Sequence, residues 1–283
     1  MRKIIRLEQW SKNFVIFIPS ILAKNYEVFW DLSIYIIFLA FSLIVSSTYI
    51  FNDLLDLEQD RLHPQKKTRP LAAGNLSIKS AKFLLAFLVT IGFLVIMLTD
   101  QRVILLALMY VFITISYSFK FKYMKFFDFM SITILFGIRL IIGSVTSETE
   151  LSGLLIVFIL LFLTQISIGK KLSIYESREI SDVSKVKAHL IKKYDINELE
   201  RILKGIFLLS NIVFLYWSYD RFFENTLNFS LCLLALILFW NFGKKFIEDS
   251  RCSKTENFIG WVISSKMYLV GLLICGIVLV VLF

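Results

Sequence analysis

Three aspartates lie close together where a long apolar stretch of the sequence ends. Asp53, Asp56 and Asp60 follow one another at intervals of three and four residues, directly after Asn52. On a helix this spacing places the three carboxylates on one face. Hard divalent cations such as Mg²⁺ bind a few carboxylate oxygens and complete their shell with water and substrate phosphates. We therefore interpret Asn52 and the three aspartates as the metal ligands of a diphosphate site. The alternative is a solvated acidic helix end, which is disfavoured because acids at membrane depth are usually functional.

Bases follow these acids in the same loop. Lys66, Lys67 and Arg69 can bind phosphate oxygens, arginine through a planar bidentate fork and lysine as a point charge. Because they adjoin the aspartates, we interpret them as substrate ligands, with an ordinary positively charged cytoplasmic loop as the alternative. His63 is interpreted as a turn residue before Pro64 rather than as a catalyst.

The composition indicates an integral membrane protein. Hydrophobic residues make up 57% of the chain, which has 28 Phe but only 3 Pro and 11 Gly. Since a helix needs about 20 apolar residues to cross a bilayer, we predict one all-α domain over residues 1–283, a bundle of about nine transmembrane helices. The predicted spans are residues 14–32, 33–52, 80–99, 102–119, 128–147, 151–169, 202–219, 227–243 and 267–283. Pro19 and Lys24 interrupt the first of them.

The distribution of charge orients this bundle. Most of the 31 Lys and Arg residues lie at the N-terminus and in alternate loops, chiefly 53–79 and 170–200. Positive loops remain cytoplasmic, so we predict a cytoplasmic N-terminus and an outside C-terminus. The net charge of +9 would then lie on one membrane face and attract anionic lipid headgroups, and nucleic acid is not expected as a partner.

Arg139 is a base well inside a predicted span, near Gly137 and Gly143. An uncompensated cation there is costly, so we expect Arg139 to face a cavity. Its expected partner is an acceptor phosphate or one of the aspartates. A structural pair with Asp128 is the alternative.

These residues carry a family resemblance. The chain resembles the UbiA superfamily of membrane transferases, whose N-D-x-x-D-x-x-x-D signature is matched from Asn52 to Asp60, and within it the decaprenyl-phosphate phosphoribosyltransferase branch. Three further segments support the branch: Gln9-Trp10-Ser11-Lys12-Asn13, His63-Pro64 through Arg69-Pro70 with Ala72-Ala73-Gly74, and Tyr117-Ser118-Phe119-Lys120 followed by Asp128, Gly137, Arg139 and Gly143. The resemblance implies that Lys12, Asn13, Tyr117, Lys120 and Asp128 contact the substrates.

The second long loop departs from the family pattern. Users of prenyl diphosphates have a second D-x-x-x-D motif, which this loop lacks, whereas the branch has a basic pair and a nearby Glu. Lys170 and Lys171 match the basic pair, but Ile174 stands where the Glu is expected. Glu176, with Glu179 and Asp182, can compensate at helical spacing; a solvated helix face is the alternative.

The resemblance implies attack by a polyprenyl phosphate on C1 of phosphoribosyl diphosphate, with diphosphate leaving as a Mg²⁺ complex. Asp53, Asp56, Asp60 and Arg139 are the implied catalytic residues. The enzyme would work by positioning and electrostatic stabilisation in the bacterial cytoplasmic membrane, with its site facing the cytoplasm.

Two other functions remain open at this point. A prenyltransferase that moves an isoprenoid from its diphosphate to an aromatic acid such as 4-hydroxybenzoate would use the same first aspartate motif. A transporter whose acids bind a coupling cation at a broken helix is the third candidate. The acids lie towards the end of a span rather than at its middle, which disfavours the transporter.

Overall fold

The structure of the chain is a computed structural model, which describes residues 2–62, 66–180, 194–255, 258–264 and the single residues 270, 271 and 274. Within these residues all regular secondary structure is helical, which confirms the all-α prediction. Seven of the described helices are long and apolar enough to cross a membrane. We number them α1 Leu32–Leu55, α2 Ile78–Thr99, α3 Arg102–Phe119, α4 Phe127–Thr146, α5 Gly153–Ile180, α6 Ile196–Phe222 and α7 Thr226–Arg251.

Shorter helices flank and connect the long ones. The short α-helices are Arg2–Ile5, Ile18–Leu22, Leu57–Leu62 and Phe258–Ser264, and the 3₁₀ helices are Leu7–Phe17, Tyr26–Trp30, Lys66–Thr68 and Phe121–Tyr123. Polar side chains fix where several long helices begin. Asp31, Ser77 and Asn225 each accept a hydrogen bond from a backbone N–H in the first turn of α1, α2 and α7, at 2.8, 3.0 and 3.1 Å. Such N–H groups have no partner inside the helix, so these caps stabilise the helix starts.

Residues 14–32 do not form the continuous span that their apolar character predicts. Short helices occupy this stretch instead. Pro19 lies in the first turn of the Ile18–Leu22 helix, where its missing N–H is tolerated, and Lys24 has a left-handed backbone with φ 51°. Neither residue fits the interior of one long helix. The last predicted span, residues 267–283, lies outside the described residues except for 270, 271 and 274.

The chain divides into two compact units, of which the first comprises Met1–Lys122 and Gly137–Glu150. Helices α1 and α2 pack closely in this unit. A Cβ atom at Gly92 of α2 would lie 2.9 Å from the backbone oxygen of Ala40 on α1. The absence of a side chain at Gly92 therefore permits the contact, and Ile44 packs beside it with no exposed surface. This packing fixes α1, which leads to the aspartate segment.

The second unit comprises Tyr123–Phe136 and Leu151–Phe283. Helices α5, α6 and α7 pack through aromatic side chains. The ring centre of Phe158 on α5 lies 4.9 Å from the ring centre of Phe214 on α6 and 5.3 Å from that of Phe239 on α7. Aromatic pairs at such separations stabilise a core beyond the burial of their area.

Candidate active site

The spacing of the three aspartates would place them on one face of a helix, but the structure has a turn within their segment. Helix α1 ends at Leu55, the backbone turns at Asp56 with φ −92° and ψ 10°, and the short Leu57–Leu62 helix follows. Hydrogen bonds continue through the turn, because the N–H of Asp60 donates to the backbone oxygen of Asp56 at 2.8 Å. The side chain of Asp56 pairs with Lys122, whereas those of Asp53 and Asp60 pair with Arg69.

Asp53 and Asp60 converge on one point. The Nη1 atom of Arg69 lies 3.0 Å from Oδ1 of Asp53 and 2.6 Å from Oδ2 of Asp60. Only 5% and 3% of the two aspartate side chains are exposed. Buried carboxylates need a compensating positive charge, and the guanidinium of Arg69 provides it. The two aspartates therefore share one cation position.

Other bases surround this position. Arg6 forms an ion pair with Asp53, and Nζ of Lys66 lies 3.5 Å from Oδ1 of Asp60. Lys67, the third predicted phosphate ligand of this loop, has an exposed side chain. The structure thus brings Lys66 and Arg69 to the acids and adds Arg6.

Asn52 and Asp56 have partners at the end of α3. Nζ of Lys122 lies 2.9 Å from Oδ1 of Asp56, and the hydroxyl of Ser118 donates a hydrogen bond to the side-chain oxygen of Asn52. The predicted substrate ligands Tyr117 and Lys120 lie at this same end of α3, the first half-buried and the second exposed. The Asn52 and Asp56 side chains are therefore anchored to α3 and the turn after it.

Arg139 is a buried cation of the same unit, with 3% of its surface exposed. Its Nε donates a hydrogen bond to Oδ1 of Asn13 at 2.8 Å, and its Nη2 donates one to the hydroxyl of Tyr110 at 2.9 Å. The guanidinium carbon also lies 4.8 Å from the centre of the Tyr110 ring, a cation–π distance. Asn13 in turn donates to the hydroxyl of Ser42 at 2.8 Å. Asn13 and Arg139, each predicted separately to act on the substrates, thus contact each other directly, and Asn13 orients the arginine.

Close packing explains why Asn13 meets Arg139. Gly143 lies one turn after Arg139 on α4, and a Cβ atom there would lie 2.0 Å from the backbone oxygen of Ile16. Only glycine allows the N-terminal segment to approach α4 so closely. Because Asn13 lies one turn before Ile16, this contact sets Asn13 against the arginine.

Lys12 belongs to the same group of cations. Its side chain keeps an exposed surface, yet burial among protein atoms lowers its pKa below the usual value. The positive charges of Arg139 and Arg6 lower this pKa further. Lys12 therefore lies in a positively charged environment, with an exposed side chain near Arg6 and Arg139.

In the second unit, Asp128 and Lys171 form an ion pair. Tyr194 completes this pair, since its hydroxyl donates to Oδ1 of Asp128 at 2.9 Å and its ring centre lies 5.1 Å from Nζ of Lys171. The backbone N–H of Phe126, at a left-handed φ of 67°, donates to the Tyr194 hydroxyl at 2.6 Å. Burial raises the pKa of Tyr194, whereas the hydrogen bond from Phe126 lowers it. Asp128 and Lys171, which are both predicted to contact substrate, thus hold each other.

The remaining predicted ligands of the second loop lie on α5. Lys170 is exposed. Glu176 forms an ion pair with Arg251, whose Nη1 lies 3.1 Å from Oε1 of Glu176. The Nε atom of the same arginine lies 3.3 Å from Oε2 of Glu200. These contacts fasten α5 and α6 to α7. His63, Asp182 and the side chain of Glu179 lie outside the described residues.

Arg6, Lys122 and Tyr194 each contact a predicted ligand, although the sequence predicts no role for them. The two bases lie in segments whose positive charge is explained by membrane topology alone, so no sequence signal separates them from their neighbours. Tyr194 lies 66 positions after Asp128, and only the fold brings them together.

The acids partly fit the magnesium ion that the sequence predicts. Among the described residues, no group of three His, Cys, Asp or Glu side chains is arranged to hold a metal ion. Asp53 and Asp60 nevertheless present oxygens within 3.0 Å of one cationic nitrogen. Mg²⁺ commonly binds through one or two carboxylates and takes its other ligands from water and substrate phosphates. The Asp53 and Asp60 pair fits that requirement.

The fold and these residues define a membrane protein with an acidic site lined by bases, and comparison with known proteins gives its family. The sequence pattern of the UbiA prenyltransferase family matches residues 13–261. The chain therefore belongs to the UbiA prenyltransferase family, a family of membrane transferases, as its motifs predict.

Two curated relatives align with part of the chain. It is 36% identical over 168 residues to the uncharacterized protein y4nM of Sinorhizobium fredii, an alignment that covers 59% of this chain and 33% of that protein. It is 32% identical over 157 residues to the decaprenyl-phosphate phosphoribosyltransferase of Mycolicibacterium smegmatis, covering 53% of this chain and 49% of that protein. The chain thus spans a third to a half of the length of these relatives.

A solved structure agrees over nearly the whole chain. The UbiA homolog from Archaeoglobus fulgidus, bound to GPP and Mg²⁺, matches with a TM-score of 0.69 at 13% identity, over 98% of each chain. At this identity the likeness establishes the fold.

Proposed function

We propose that this chain is a Mg²⁺-dependent transferase that moves a 5-phosphoribosyl group from phosphoribosyl diphosphate to a polyprenyl phosphate and releases diphosphate. The observation that carries the proposal is the convergence of Asp53 and Asp60 on one cation position next to Arg6, Arg69 and Lys66. A pair of carboxylates beside several bases suits a metal ion and a diphosphate together. The name of the Mycolicibacterium relative supports the choice of donor and acceptor.

At the donor end, Asp53 and Asp60 would hold the metal ion, with Asn52 directly before Asp53 and Asp56 one turn after Asn52. Bound Mg²⁺ supplies charge neutralisation for the diphosphate leaving group. Lys66, Lys67 and Arg69 bind phosphate oxygens of the donor. Arg69 suits this task because its planar fork matches two phosphate oxygens at once.

At the acceptor end, Lys12 and Arg139 bind the lipid phosphate. A phosphate monoester has a second pKa of about 6 and is already an anion at neutral pH, so its attack needs no strong general base. One of its oxygens forms the bond to C1 of the ribose as the bond from C1 to the diphosphate oxygen breaks. Asn13 and Tyr110 hold the Arg139 guanidinium in place for this contact.

The second unit has a mainly structural part in this proposal. The pair of Asp128 with Lys171 and that of Glu176 with Arg251 neutralise three of the predicted substrate ligands. The side chain of Lys170 on α5 is exposed, and we propose that it binds substrate phosphate. Tyr117 and Lys120 remain proposed contacts beside Asp56.

The proposal places the protein in the bacterial cytoplasmic membrane. The soluble donor reaches the site from the cytoplasm, and the lipid acceptor reaches it from the bilayer. The UbiA family pattern extends over both compact units, which supports their treatment as one transferase domain over residues 1–283. The cytoplasmic N-terminus and the outside C-terminus belong to the same proposal.

Prenyl transfer to an aromatic acid is the second candidate, because an acidic site with bases also suits a prenyl diphosphate. To separate the two, purified protein with Mg²⁺ is incubated with polyprenyl phosphate and phosphoribosyl diphosphate, and separately with a prenyl diphosphate and 4-hydroxybenzoate. Diphosphate release is measured in both. Release from the first pair alone is expected, whereas release from the second pair alone contradicts the proposal.

A further inference from the structure

Arg6 is fixed beside the aspartates by a clamp in the N-terminal segment. The indole Nε1 of Trp10 donates a hydrogen bond to the hydroxyl of Ser46 on α1 at 2.9 Å, and this hydroxyl donates to the backbone oxygen of Ile5 at 2.8 Å. Between these two anchors, Arg6 has a left-handed backbone with φ 52°, which residues other than glycine seldom adopt. The clamp therefore holds the backbone of Arg6 in place and leaves its long side chain to respond to the site.

The side chain of Arg6 ends on an oxygen that already has a partner. Oδ1 of Asp53 is paired with both Arg6 and Nη1 of Arg69. A carboxylate oxygen has two lone-pair directions. A metal ion that binds Oδ1 of Asp53 must therefore displace at least one of the two guanidinium groups.

The charges of the site make the metal and an anion depend on each other. Arg6, Arg69 and Lys66 face the two carboxylates of Asp53 and Asp60. These three bases and two carboxylates carry a net positive charge before any metal binds. A divalent cation that binds alone increases this excess of positive charge. An anion with several charges, such as diphosphate, relieves this excess and gives the displaced bases new partners.

We propose that Arg6 is the counter-ion of Asp53 in the substrate-free site and a diphosphate ligand in the loaded site, so that it opposes metal alone and favours metal with diphosphate. This inference rests on the proposed function and assigns to it a further binding residue. The ring of Tyr49 lies 4.9 Å from the Arg6 guanidinium and provides a surface along which the guanidinium can turn between its two partners.

The test compares Arg6→Gln with Arg61→Gln in the purified full chain in detergent. Arg61 is a matched control in the same acidic region, since it pairs with Glu58 at the surface, where 47% and 82% of the two side chains are exposed. Two dissociation constants are measured: that of Mn²⁺ alone, by electron paramagnetic resonance, and that of radiolabelled inorganic diphosphate at saturating Mg²⁺.

Arg6→Gln is expected to bind Mn²⁺ alone about tenfold more tightly and diphosphate about tenfold more weakly, the order expected for one charge-assisted contact. Arg61→Gln should change neither constant by more than about twofold. The two dissociation constants are thus expected to change in opposite directions. If Arg6→Gln binds both Mn²⁺ and diphosphate more weakly, Arg6 has a structural role. If its dissociation constant for diphosphate is unchanged, Arg6 does not bind diphosphate; either result overturns the inference.

Arg6→Lys gives a second measurement if the Gln variant does not fold. Lysine keeps the charge but lacks the planar fork, so diphosphate should bind more weakly than in the wild type, by about threefold to tenfold. Diphosphate binding equal to that of the wild type overturns the inference. If the wild type binds neither ligand, the proposed function and this inference are both overturned. If the wild type binds both ligands and the Arg6 variants bind them equally well, the inference alone is overturned.

Discussion

Asp60→Asn tests the shared cation position, because asparagine keeps the shape of the side chain and removes its charge. Asp60 lies 2.6 Å from Arg69 and 3.5 Å from Lys66, and 3% of its side chain is exposed. One buried charge-assisted contact is worth about 1.5–3 kcal/mol, which corresponds to about a tenfold to hundredfold loss in kcat/KM. The same loss is expected for Asp53→Asn. Because the two carboxylates act on one cation, the double variant should lose far less than the product of the single losses.

Diphosphate release, measured over a range of Mg²⁺ concentrations, is the assay. Glu58→Gln is the matched control, since Glu58 lies in the same short helix but is 82% exposed and pairs with Arg61 at the surface. Its kcat/KM should remain within about twofold of the wild type. Size-exclusion chromatography establishes that each variant is folded. Asp60→Asn with the kcat/KM of the wild type at limiting Mg²⁺, or an equal loss in Glu58→Gln, refutes the shared cation position.

Three further predictions concern packing, protonation and topology. Gly143→Ala should lower the melting temperature by several degrees because the new Cβ atom would meet the Ile16 backbone. Gly205→Ala is the control, since a Cβ atom there has nothing within 4 Å and should not lower the melting temperature. Equal melting temperatures of the two variants contradict the close contact. Since the pKa of Lys12 is lowered, its ammonium loses its proton at a lower pH than an ordinary lysine, so KM for the anionic acceptor should rise with pH in the alkaline range. Lys12→Arg should abolish this rise, and a persistent rise excludes Lys12 as its cause. Single cysteines are introduced at the exposed positions Lys67 and Glu148, in a chain without native cysteines. The cysteine at 67 should react with an impermeant maleimide added on the cytoplasmic side, and the one at 148 with maleimide added outside. Labelling of both cysteines from the same side contradicts the topology.

The long helices could be predicted from the sequence because apolar length alone decides them. The predicted spans 80–99 and 102–119 correspond to Ile78–Thr99 and Arg102–Phe119. The failure at residues 14–32 has a local cause. Average hydropathy does not register that Pro19 and the left-handed Lys24 each break a helix.

The site was predictable where its partners are close in sequence. Arg69 meets Asp60, which lies nine positions away, and adjacency in one loop was enough to suggest it. The family resemblance predicts substrate contacts for Asp128 and Lys171, but these residues, 43 positions apart, pair with each other. Arg6 and Tyr194 escaped for the same reason, since distant pairing depends on the packing of whole helices.

The mass of the lipid product tests the proposed phosphoribosyl transfer. Purified protein is incubated with Mg²⁺, a polyprenyl phosphate and phosphoribosyl diphosphate carrying ¹³C in its ribose, and the lipid fraction is analysed by mass spectrometry beside the Asp60→Asn variant. We predict a lipid phosphodiester that has gained one labelled phosphoribosyl group, formed far more slowly by the variant. An unchanged lipid phosphate in the wild-type sample, together with prenylation of 4-hydroxybenzoate by the same preparation, contradicts phosphoribosyl transfer.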